Sequence, residues 1–125
     1  MPILELRIEL KINGELVRNL GLPLIYRQVV DELQQFDYDK DDDGNNTTFS
    51  ALPVAEVDAV QFFLAFAQDQ ALGLRLEGSE SGSVAVRLSA GGFVIVGNGA
   101  LTDSNLTVNN NSGAVARLIG LAGGT

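Results

Sequence analysis

The sequence predicts an all-β protein, an antiparallel β-sandwich of jelly-roll-like build, and three observations predict it. Leu4, Leu6, Ile8, Leu10 and Ile12 alternate with Glu5, Arg7, Glu9 and Lys11, the period-two pattern of a strand with one buried face. From Val60 onward, short apolar runs are divided by Gly, Ser and Asn clusters at about the eight-to-twelve-residue spacing of sandwiches and barrels. No long helical pattern is available to cross between parallel strands, so neighbouring strands should be antiparallel. The whole chain, 1–125, reads as one domain.

Taken in order, the first strand meets Asn13-Gly14, a pair that tolerates the positive φ of a type I′ hairpin turn, and Glu15-Leu-Val-Arg18 returns from it. Gly21-Leu-Pro23 breaks the pattern. Residues 24–36 read two ways. Ile25, Val29, Leu33 and Phe36 have helical spacing, whereas Tyr26, Val30 and Phe36 fit a strand. An extended segment suits the surrounding β pattern better, with a short helix as the alternative. Residues 37–48 form an acidic loop. Thr47 to Leu52 is a short extended piece stopped by Pro53. Val60-Gln-Phe-Phe-Leu-Ala-Phe66, Leu72 to Leu76, Val84 to Leu88, Phe93 to Val96, Leu101 to Val108 (chiefly Asn105 to Val108) and Ala114 to Ile119 are strands. Gly78-Ser-Glu-Ser-Gly82, Gly91-Gly92, Gly97-Asn-Gly99 and Asn109 to Gly113 are the turns between them. Gly120 to Thr125 reads as a light tail.

Composition narrows function. A net charge of −8, with Lys and Arg scattered singly, opposes binding to nucleic acid or to an anionic membrane surface. The absence of Cys and His removes disulfides, thiolate metal sites and the commonest general base. No pair of carboxylates is singled out for glycoside chemistry, and no Gly-rich pair opens a helix that could cradle phosphate. The expectation is a non-enzyme. The N-terminus lacks the pattern of a signal peptide, so synthesis in the cytoplasm is expected.

Asp39-x-Asp41-x-Asp43-Gly44-Asn45 matches the first half of a calcium loop, where alternating carboxylates wrap one hard cation. The second half departs from it: Ser50 stands where a bidentate Glu closes the loop, and Asn46 where an apolar residue anchors it. Two readings stay open: a loose calcium site on Asp39, Asp41, Asp43 and the Asn45 carbonyl, or an exposed loop whose like charges repel. The second is favoured. No other cofactor is expected.

Two strands are apolar on both faces. Phe62, Leu64 and Phe66 fill one side of their strand while Phe63 and Ala65 fill the other, and Phe93 and Ile95 oppose Val94 and Val96. A sandwich covers one face of a strand only. The second face is covered either by residues 24–36 or by another subunit. For the latter case Phe63, Ala65, Val94 and Val96 are the expected contacts.

One resemblance arises from residues 60–125. Val60-Gln-Phe-Phe-Leu, Asp69-Gln-Ala-Leu-Gly-Leu-Arg-Leu-Glu-Gly78, Gly91-Gly-Phe-Val-Ile-Val-Gly97, Leu106-Thr-Val-Asn-Asn-Asn-Ser-Gly113 and the closing Gly-Gly-Thr follow one another in a cadence. It resembles that of small β-sandwich virion proteins of tailed bacteriophages, the capsid decoration (cement) and tail components. The resemblance covers about half the chain and is one of cadence, not of a diagnostic motif. It implies a non-enzymatic structural protein of the virion. Its partners would be itself, as a homo-oligomer, and other virion proteins, and it transfers no catalytic residue. The alternative from the residues is a calcium-dependent, carbohydrate-binding β-sandwich. That reading is weakened by the lack of Trp and the presence of only two Tyr.

Overall fold

A computed structural model describes residues 2–17, 24–78, 83–97 and 99–125. Among them the chain forms strands and no helix. The strands are β1 (Ile3–Ile8), β2 (Lys11–Ile12), β3 (Glu15–Leu16), β4 (Leu24–Val29), β5 (Glu32–Lys40), β6 (Ser50–Ala51), β7 (Ala59–Ala67), β8 (Leu72–Gly78), β9 (Ser83–Leu88), β10 (Phe93–Val96), β11 (Leu101–Asn109) and β12 (Ala116–Gly124). The expected break at 21–23, Arg18, the centre of the 78–82 turn and Asn98 lie outside the described residues.

The antiparallel sandwich is present. Its hydrogen-bonded path runs β5-β12-β7-β11-β8-β9, with β10 beside β7 and β6 beside β11. β11 carries the path from one layer to the other. Leu101 pairs with Val60 of β7, the register breaks between Leu101 and Leu106, and Leu106 to Asn109 then pair with β8. One layer is therefore β5, β12, β7 and β10, and the other is β6, the second half of β11, β8 and β9. Between them Phe36, Phe63, Ala65, Ala67, Leu118 and Ala122 meet Leu72, Leu74, Leu76, Leu88, Leu106 and Val108 in a common core. Each large side chain so buried contributes roughly 1.5–3 kcal/mol. The alternation over 72–76 and 84–88 predicted these rows: Leu72, Leu74 and Leu76 pair with Leu88, Val86 and Val84, of which Val84 stays exposed near the start of β9.

Residues 24–36 are extended, in β4 and the start of β5, so the helical alternative is set aside. β5 pairs along its whole length with β12, and this ladder outweighs a helical spacing in isolation. The first strand is shorter than its alternation predicts. It ends at Ile8 and pairs with β4, while β2 and β3 form a separate small hairpin around Asn13 (φ 53°) and Gly14 (φ 83°). β1 runs as far as its partner does, Ile8 facing Leu24, the first residue of β4. The inner side of β4 lies on the main sheet, where Tyr26 stacks on Phe62 at 5.9 Å between ring centroids.

Two further boundaries differ. The first third of the acidic stretch is strand, since β5 continues through Asp37, Asp39 and Lys40. The expected light tail is the last part of β12, which hydrogen-bonds to β5 on one side and β7 on the other. Its glycines permit this. A Cβ on Gly120 would strike the Leu64 carbonyl oxygen and the Phe36 ring, and one on Gly124 would strike the Ala59 carbonyl oxygen.

Candidate functional site

The proposed calcium ligands do not converge. Asp39 is exposed on β5 opposite Arg117, and Asp41 is exposed in the loop. Asp43 turns inward, where Lys40 Nζ donates to its Oδ1 at 2.7 Å and the Asn110 amide to its Oδ2 at 2.8 Å. The Asn45 carbonyl accepts from Asn109 Nδ2 at 2.9 Å. Among the described residues no group of carboxylates is placed to hold a metal ion. An ammonium already neutralises Asp43, and a divalent cation would have to displace it. Hydrogen bonding from Asn110 first, and then from Lys40, holds the Asp43 carboxyl below the ordinary carboxylate range.

The loop is nevertheless built rather than merely solvated. Asn109 and Asn110, at the end of β11, are fully buried. Asn109 Nδ2 also donates to the Thr48 carbonyl at 2.8 Å. Asn110 Nδ2 donates to the carbonyls of Lys40 at 2.8 Å and Ala114 at 2.7 Å, while its Oδ1 accepts from the Ser112 amide at 3.0 Å. Asn45 Oδ1 caps the other end by accepting from the amides of Thr47 and Thr48. A buried amide with its donors and acceptors matched fixes one loop geometry.

The expected contact residues also need correction. Phe63 and Ala65 have no exposed surface and lie in the core, and Val94 and Val96 pack against that core. Intramolecular packing uses all four. The second apolar face is the other parity of the same strands. Registers place Ile119 beside Phe66 and Phe66 beside Phe93, then Leu121 beside Leu64 and Leu64 beside Ile95, across β12, β7 and β10. These outward side chains are half-buried, apart from Phe93, which is 63% exposed. At one end of the face β4 covers Phe62 through Tyr26, and Gln28 Nε2 donates to Gln61 Oε1 at 2.7 Å. Residues 24–29 thus cover part of the second face, as one of the two expectations held. The rest of the face has no covering strand among the described residues.

Its border on the β5 side is charged. Arg117 makes a two-pronged contact with Asp37, its Nε donating to Oδ1 at 2.7 Å and its Nη2 bonding Oδ2. These hydrogen bonds hold Asp37 below its ordinary range and raise Arg117. An apolar centre with a charged rim has the composition of a protein contact surface. The sequence showed that these strands are apolar on both sides, but not which parity faces outward.

No protein-family model and no curated protein matches the chain. Two solved structures align with it over most of its length. One is Drosophila melanogaster CENP-C bound to CAL1, at 11% identity and a TM-score of 0.45, covering 93% of this chain and 80% of that one. The other is the Drosophila melanogaster CENP-C cupin domain, at 12% identity and a TM-score of 0.45, covering 93% and 74%. Likeness at this level transfers neither partner nor activity.

Proposed function

We propose that this chain is a non-catalytic structural protein that joins a larger assembly through protein–protein contacts, and that the assembly is a bacteriophage capsid or tail. The observation that carries the contact role is the outward row Leu64, Phe66, Phe93, Ile95, Ile119 and Leu121, contiguous over three neighbouring strands. A contiguous apolar patch beside a charged rim is a favoured place for a neighbouring subunit. The cadence of residues 60–125 supports the virion setting. The calcium-dependent carbohydrate reading is not favoured, because Asp43 is committed to Lys40 and Asn110.

The test is sedimentation velocity together with co-sedimentation on phage capsids and tails. Wild type should self-associate or bind particles at micromolar concentration. Phe93→Asp should weaken this at least tenfold with little change in melting temperature, because Phe93 is exposed. A wild-type monomer that ignores both kinds of particle would sink the proposal.

A further inference from the structure

The opposite outer face, on β8 and β9, carries a different kind of surface. In a chain of net charge −8, most described cations are already paired. Arg7 lies on Glu9, Arg27 on Glu5, Lys40 on Asp43 and Arg117 on Asp37. Among the described residues Arg75 and Arg87 make no ion pair, yet they line one groove of about 250 Å³ together with Asn46 and Phe49. Both guanidinium groups are held by neutral partners. Arg75 lies over the Phe49 ring, 4.3 Å from its centroid. Arg87 Nη1 donates to Asn109 Oδ1 at 3.3 Å and crosses Gly73, whose missing side chain leaves the room. Side chains ordered without being neutralised are prepared for an anion.

The spacing narrows the ligand. Gly73 pairs with Arg87 and Arg75 with Ala85, so the two arginines are diagonal neighbours on one face. The side chains of such neighbours leave the sheet roughly 7–8 Å apart. Alternate side chains of an extended peptide, at about 3.3 Å per residue, are separated by about 7 Å and point the same way.

We infer that the Arg75–Phe49–Arg87 groove binds an extended acidic segment of a partner protein, with carboxylates at alternate positions, one on each guanidinium. This surface is distinct from the apolar face on β12, β7 and β10 and does not depend on its role.

The experiment is fluorescence anisotropy on the full chain with a labelled Ser-Glu-Ser-Glu-Ser peptide at low ionic strength, beside its Ser-Gln-Ser-Gln-Ser analogue. Wild type should bind the Glu peptide and not the Gln peptide. Arg75→Gln and Arg87→Gln should each weaken binding about tenfold, and added salt should weaken it further. Arg75→Gln is the safer variant for folding, since Arg75 is exposed and lies over the Phe49 ring, and an unchanged melting temperature would show that its fold is intact. Failure of wild type to bind the Glu peptide would overturn the inference, as would equal binding of the two peptides, wild-type affinity in folded Arg75→Gln, or tighter binding of an oligonucleotide.

Discussion

The Asp43 amide donates to the Asn110 carbonyl at 2.7 Å, and the Asn110 amide donates back to the Asp43 carboxylate at 2.8 Å. Residues far apart in sequence thus form one reciprocal pair, and through it the acidic loop is fastened to the end of β11. Asn110→Ala keeps the two backbone amides but deletes the side chain that satisfies the Lys40 and Ala114 carbonyls and the Ser112 amide. The bond to the Lys40 carbonyl is the buried one, and leaving such a group buried and unmatched costs about 1–3 kcal/mol. The expected result is a loss of that size in urea unfolding, with more rapid proteolysis at 41–48. Unfolding within experimental error of wild type would show that the loop does not depend on Asn110.

The same pair sets a pH dependence. Asp43 has its folded-state pKa lowered by Asn110 and Lys40, so between the folded and unfolded values the unfolded chain binds more protons. The stabilisation is therefore present above the unfolded value, roughly pH 4, and is lost as pH falls through the folded value. Asp37, lowered by Arg117, acts in the same direction. Urea midpoints should fall as pH drops below about 4, and Asp43→Asn should fall less steeply there while being weaker than wild type at neutral pH. Parallel pH profiles for the two proteins would contradict this.

Gly120 has its counterpart in Phe36. A methyl group there meets a backbone carbonyl and a ring whose own face stacks on Phe63, 6.2 Å between centroids. Neither can retreat without opening the ladder between β12 and β7. Gly120→Ala should cost at least the ~1–3 kcal/mol of ordinary overpacking, and more if the strand separates. A chain that merely ended in a light tail would tolerate the change, so an unaltered melting temperature would restore that view.

Where the sequence was legible, the pattern was local. The alternation in β8 and β9 names their inward rows, and Asn13-Gly14 marks a turn that exists. Where it was not, the deciding partner was distant. Asn109 and Asn110 read as loop residues because Asn favours turns, yet their burial depends on acceptors around Lys40 to Thr48. Gly120 to Gly124 read as a tail because glycine lacks a side chain, and that lack is what lets β12 lie between β5 and β7. The long alternation from Leu4 to Ile12 could not say that β1 would stop at Ile8, because that depends on where its partner begins, and Ile8 faces Leu24, the first residue of β4.

The sharpest case is parity in β7. A strand that is apolar on both sides carries no period-two signal, and a shift of one residue exchanges every inward side chain for an outward one. Gln61 adds to the ambiguity, because the pairing with β12 slips there: Gly123 faces Phe62 and Gly124 faces Val60. The structure turns Phe63 inward and Phe66 outward, so adjacent stretches of one strand should respond differently. Phe63→Ala empties a fully buried site against Phe36 and should cost about 3–5 kcal/mol in urea unfolding. Phe66→Ala removes a half-buried ring whose neighbours are Ile119 and Phe93; it should cost clearly less in stability and should instead reduce self-association or particle binding. If the two variants exchange these effects, the faces are reversed and the contact surface returns to Phe63 and Ala65.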